Sequence, residues 1–218
     1  MFYARILSVF MLATFCCGCA AINVAISKKD LKVETTMSES IFMDPENGAD
    51  RSVFIDVRDS TDRNIYIGPR IETHLQAKGY RYEDDPKKAG YILQVNVLQV
   101  GMADPNAYQA AVKGGHAFWG STAASMGAGA AVGALIGYGA TGRSGTDAVK
   151  DVTYSIITDV LVSVRTSEES SKQSAAVTSN RVLYATRIGS SANKVNLSFA
   201  EARPELEEGL AWAIAGIF

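Results

Sequence analysis

The chain is short of the side chains on which most protein chemistry depends. Its three cysteines are Cys16, Cys17 and Cys19, and it has only two histidines in 218 residues. That supply is too small for a zinc cluster of the usual spacing. Basic and acidic residues nearly balance, 21 against 23, for a formal net charge of −2. Without a concentrated basic surface the chain lacks the electrostatic footprint of a nucleic-acid binder. At 47% hydrophobic it is also no disordered chain. His74 and His116 have no cysteine or second histidine nearby and read as surface or interface residues. Asp84-Asp85, followed by Pro86-Lys87-Lys88, reads as a solvated turn. Gly127-Ala128-Gly129 with Gly133 lacks both the Lys-Ser/Thr pair and the preceding strand of a phosphate loop. No nucleophile has a plausible base, so neither catalytic residues nor metal ligands are expected, and the chain reads as a non-enzyme.

What is present begins at the N-terminus. Arg5 is followed by an apolar run over 6–15 and then by small residues, which is the layout of a secretory signal and too short for a membrane-spanning helix. The Gly18-Cys19 junction resembles the bacterial lipobox, although Cys16 and Cys17 stand where Leu and Ala or Ser are usual. Removal of residues 1–18 would leave Cys19 as a single cysteine, unable to form an internal disulfide. A lone thiol in an oxidising compartment is a liability unless it is modified. The resemblance therefore implies lipidation of Cys19, with a covalent diacylglycerol and an N-acyl chain and no other cofactor. One acyl chain holds a protein marginally and two or more hold it stably. By the same resemblance to bacterial lipoproteins, Ala20, where Asp would signal retention, implies sorting to the outer membrane.

The rest of the chain is patterned for an α+β fold, a layered α/β domain. Residues 52–57, 91–100, 152–164 and 181–188 read as strands, by alternation or by β-branched content. Residues 69–78 read as a helix with Pro69 in its first turn, a stop at Gly79, and Ile71 and Leu75 facing the sheet. The polar stretch 166–179 reads as a connection. The C-terminus predicts an amphipathic helix with Phe199, Ala202, Leu206, Leu210, Ala213, Ile214 and Ile217 on one stripe. Pro204 suits a first turn, and Ser198 an earlier start.

One segment is unlike the others. Ten of the nineteen glycines fall between 114 and 145, and no formally charged side chain occurs from 114 to 142. Gly129, Gly133 and Gly137 recur every fourth residue, which on a helix makes a smooth stripe for close helix packing. A flexible loop would expose too much apolar surface, and an ordinary buried helix would lose about 1 kcal/mol per glycine relative to alanine. The stretch therefore reads as an inserted Gly/Ala-rich, membrane-associated helical hairpin over 105–148, with Trp119 and Tyr138 at interfaces. So glycine-rich a helix needs partners, which points to a homo-oligomer. The expected organisation is a signal over 1–18 and one domain over 19–218 that carries this insertion.

Ordered blocks then give a family resemblance. They are ISKKDLKVET at 26–35, MSESIF at 37–42, AKGY at 77–80, DVTYSIITDV at 151–160 and SANKVNLSF at 191–199. Taken in order, they resemble the TraT complement-resistance and surface-exclusion lipoproteins of conjugative plasmids, with a shorter glycine-rich region and a shorter polar connection. The resemblance implies an oligomeric ring in the outer membrane that blocks redundant conjugative DNA transfer, with complement resistance as a second activity. Its partners would be outer-membrane lipid, further copies of the chain, and either the donor cell's mating apparatus or a recipient outer-membrane receptor. The alternative is a ring component for outer-membrane transport or secretion. A pore needs a polar stripe facing its lumen, and 114–142 offers only scattered Ser and Thr.

Overall fold

The strand Tyr91–Met102 carries the clearest alternation in the chain, and the fold is organised around it as β4. The computed structural model describes residues 29–43, 50–114, 150–165 and 181–218. In chain order these hold β1 (Lys32–Met37), β2 (Ser52–Asp59), α1 (Gly68–Ala77), β3 (Arg81–Tyr82), β4, α2 (Pro105–Lys113), β5 (Asp151–Arg165), β6 (Arg181–Val195) and α3 (Phe199–Ala215). The six strands form one mixed sheet in the order β1-β6-β5-β4-β2-β3. β2 runs parallel to β3 and β4, and the other neighbours are antiparallel. Six strands with three helices make the architecture α+β.

Strand alternation sorts the sheet into two faces. One gathers Val53, Leu93, Val95, Val97, Ile156, Val160, Val162 and Ile188, all buried in the main core. Two helices close over it: α1 inserts Ile71 and Leu75, and α3 inserts Ala202, Leu206, Leu210 and Ile214. The loop before α1 is set by Asp59. Its carboxylate accepts hydrogen bonds from Thr61 N (2.8 Å), Thr61 Oγ1 (2.6 Å) and Ile65 N (2.8 Å). Pro69 occupies the first turn of α1. Gly79, with φ of 85°, takes the left-handed conformation that ends it and that glycine adopts without steric cost.

The second face receives α2, whose own small cluster joins Ala103, Tyr108, Ala111 and Val112 to Ile157, with Leu98 alongside. Gly189 of β6 lies directly beneath. A Cβ there would come within 2.5 Å of Val112 Cγ2 and 2.8 Å of Tyr108 Cε2, so only glycine admits the helix at this depth. The register of β4 against β5 shifts between Val97 and Gln99, a β-bulge at Leu98.

The patterned strands and α1 lie within two residues of their sequence bounds, except that β6 runs seven residues past 188, to Val195. α3 starts from Ser198, whose hydroxyl caps Glu201 N at 3.3 Å. Pro204 therefore sits inside the helix, not in its first turn. β1 and β3 appear where no element was predicted, and α2 occupies the first residues of the predicted insertion. Of the stretch 105–148, the described part is α2 with its cap Gly114, packed on the sheet. The remainder of the predicted hairpin, 115–148, lies outside the described residues. Among the described residues no helix is long and apolar enough to cross a membrane.

Candidate functional site

Cys19, Trp119, Gly129, Gly133, Gly137 and Tyr138 all lie outside the described residues, as does His116. What the structure does show is where the glycine-rich stretch leaves and rejoins the domain. It leaves after α2, whose last turn is capped by Gly114. It rejoins at Lys150, which exchanges two hydrogen bonds with Asn196: Lys150 N to Asn196 Oδ1 at 3.0 Å, and Asn196 N to Lys150 O at 2.7 Å. Asn196 achieves this with a φ of 53°, in the left-handed region that asparagine tolerates better than most residues.

The departure point is held by polar chemistry. Asp104 caps α2 by accepting from Asn106 N (2.9 Å) and Ala107 N (3.0 Å), and Pro105 opens the first turn. At the other end, Arg187 rises from β6 toward the helix. Its Nε and Nη2 donate to the two carboxylate oxygens of Asp159 on β5, at 2.7 and 3.0 Å. Its Nη1 donates to Ala111 O at 3.1 Å, satisfying a carbonyl in the last turn of α2. The Arg187 side chain is 2% exposed and that of Asp159 12%. Such a fork is geometrically specific and, when buried, contributes position more than net stability. Nearby, Ser155 Oγ and Gln99 Oε1 make a buried contact at 3.4 Å.

Tyr108 is the discordant member of this interface. Its side chain is buried, yet among the described residues the hydroxyl has no hydrogen-bond partner. Burial pushes the phenol up to about 12, although the Thr36 and Ser191 hydroxyls stand near enough to oppose the shift. Beside Tyr108 lies an open cleft of about 390 Å³, lined among others by Asp30, Lys32, Glu34, Gln109 and Asn193.

A second polar cluster ties α1 to α3. Glu208 receives Arg70 Nη1 at 2.8 Å and lies 2.8 Å from His74 Nε2. Glu207 receives Arg203 Nε at 2.8 Å, and Arg203 Nη2 continues to Asn64 O at 2.6 Å. Burial alone would raise the Glu208 carboxyl, but the hydrogen bonds from His74 and Arg70 outweigh it and hold its pKa below the ordinary value. His74 thus lies at a helix interface. Asp85 accepts from Lys87 N at 2.9 Å, as a turn residue does. No group of three or more potential metal ligands occurs among the described residues.

Sequence reasoning missed the Arg187–Asp159 pair, although a signal was available. Asp159 interrupts the apolar, β-branched run of β5, and a charge inside such a run calls for a partner on the next strand.

Comparison with known proteins bears on most of the chain. The family model described as enterobacterial TraT complement resistance protein matches residues 30–218. A TraT complement resistance protein of Escherichia coli is 35% identical, over 92% of this chain and 92% of its own length. One from Escherichia coli strain K12 is also 35% identical, over 92% of this chain and 91% of its own. Among solved structures, a PelC dodecamer from Paraburkholderia phytofirmans covers 85% of this chain and 98% of its own, at 9% identity and a TM-score of 0.30, a likeness too slight to carry any argument. The family match extends from just before β1 to the last residue, and on it the chain belongs to the TraT complement resistance protein family.

Proposed function

We propose that this chain is an outer-membrane lipoprotein, anchored through acylated Cys19, that performs surface exclusion: it lowers redundant conjugative DNA transfer into the cell that carries it. The observation that carries this reading is the near full-length match to TraT complement resistance proteins. Protection against complement, the activity in the relatives' name, is proposed as its second effect. The protein acts by occupying or masking a surface, not by turning over a substrate. Several copies assemble through the glycine-rich stretch, where Gly129, Gly133 and Gly137 let helices approach closely and Trp119 and Tyr138 sit at membrane interfaces. The partner is the donor's mating apparatus or an outer-membrane receptor on the recipient.

A mating assay tests this directly. Recipients express the protein or its Cys19→Ser variant, and donors carry related conjugation systems. Transfer should fall with the intact protein and recover with the variant. Unchanged transfer from every donor, with outer-membrane localisation confirmed by fractionation, would overturn the exclusion reading. Survival in serum, measured on the same strains, tests the second effect.

A further inference from the structure

We propose that α2 is a hinged flap that leaves the sheet as a unit, with the Arg187–Asp159 pair as its latch. Three observations converge on this. First, α2 does not share the main core: its cluster of Ala103, Tyr108, Ala111, Val112 and Ile157 is separate from the core under α1 and α3. Local opening follows such boundaries, because few apolar contacts need to be broken. Second, the surface beneath α2 is polar enough to accept water. Asp159 with Arg187, and Ser155 with Gln99, are paired within the sheet and would keep those partners while gaining solvent on opening. The Tyr108 hydroxyl, unpartnered among the described residues in the docked state, would gain hydrogen bonds to water. Third, among the described residues the sheet reaches the backbone of α2 through one directional bond, Arg187 Nη1 to Ala111 O, held in aim by the carboxylate of Asp159.

The flap is built to keep its form when it moves. Asp104 caps α2 from within its own segment, so the helix does not need the sheet to satisfy its first amides. The chain stays bonded to β5 as far as Ala103, whose N–H donates to Thr153 O at 3.0 Å, so the hinge falls between Ala103 and the Asp104 cap. Because α2 ends where the glycine-rich stretch begins, its docked or released state decides where on the domain that stretch starts.

Native-state hydrogen exchange on the full chain, in increasing urea, tests the flap. The reporters are the α2 amides of Tyr108, bonded to Asp104 O, and Gly114, bonded to Ala110 O, compared with amides of the β4–β5 ladder. In the wild type the α2 amides should exchange at least about tenfold faster than the ladder, with a shallower dependence on urea. Equal rates and equal urea dependence for α2 and the ladder would overturn the proposal. Asp159→Asn should raise α2 exchange by a further factor of about ten while the ladder is unchanged. Acceleration of both regions together would show instead that the pair holds the whole sheet. Tyr108→Phe, which removes the orphaned hydroxyl, should slow α2 exchange; an unchanged or faster rate counts against the flap. Should Asp159→Asn fail to fold, the wild-type comparison and Tyr108→Phe decide the matter alone.

Discussion

The two faces of the sheet are made by the same strands and held by different chemistry. Under α1 and α3 the contacts are aliphatic: Leu93, Val95, Ile156, Val160 and Ile188 meet Ile71, Leu206, Leu210 and Ile214. Under α2 the central contact is a forked ion pair, with a small apolar cluster around it. Aliphatic burial is strong and non-directional, so it supplies cohesion without specifying position to within an ångström. A buried guanidinium–carboxylate fork is costly to desolvate but exacting in its geometry. One face therefore stabilises the domain, and the other fixes where α2 ends and the glycine-rich stretch begins.

The largest expected effect tests the cohesive face. Leu206→Ala removes a fully buried side chain from the main core and should cost about 2–5 kcal/mol. Urea unfolding followed by circular dichroism should show the whole domain shifted to a lower midpoint. A loss confined to α3 would mean that the face is not one cooperative unit.

Next comes the positional face. Gly189→Ala places a methyl group against Val112 and Tyr108, an overpacking worth about 1–3 kcal/mol. Its cost should fall on α2, read as faster amide exchange there with the ladder of β5 and β6 nearly unaffected. A loss as global as that of Leu206→Ala would erase the contrast between the faces. A smaller change on the same side is Asp104→Ala, which removes both capping bonds of α2 and should cost about 1 kcal/mol, again visible in α2 exchange.

The smallest effect sharpens the comparison through pH. Glu208 is held below its ordinary value of 4.5 by His74 and Arg70 despite burial, so it stabilises the folded state above that pH. The contribution is lost as pH falls through the lowered folded value. It is modest, because the carboxylate is 45% exposed and screened by solvent. The urea midpoints of wild type and Glu208→Gln should differ at neutral pH and converge under acid. A gap that persists in acid would assign the effect to packing instead.

Legibility in the sequence followed the same division. Elements that serve the cohesive face announced themselves: β4 by alternation, β5 by β-branched content, α1 by Pro69, Gly79 and the Ile71/Leu75 spacing. The positional side was harder to read. The second half of β6, Gly189-Ser190-Ser191-Ala192-Asn193, looks like a loop because its residues are small and polar. They are small because both sides of the strand are crowded: α2 rests on Gly189, and Gly209 of α3 comes so close to Ser190 that an added Cβ would lie 3.1 Å from its hydroxyl. β1 went unseen because Thr35 and Thr36 dilute its alternation. α2 carries a proper start signal in Asp104-Pro105, but its sequence runs straight into the glycine-rich stretch, which masks its end. The residues singled out for function, from Cys19 to Tyr138, rest on the lipobox likeness and on composition and lie outside the described structure.

The bulge at Leu98 has a consequence for the molecule as a whole. A strand is a two-beat rhythm, and one extra beat inverts everything after it. Up to Val97 the odd-numbered residues of β4 face the aliphatic core; beyond the bulge Gln99 pairs with Ile157 on the α2 side and Val100 pairs with Ile156 on the core side. That single syncopation lets one strand keep its valines in oil while handing a glutamine to the polar side. Were Leu98 to pair as an ordinary ladder residue, the strand's metre would be restored and the fold's broken: the Gln99 amide would turn into the aliphatic core, and Val100 would turn out of it.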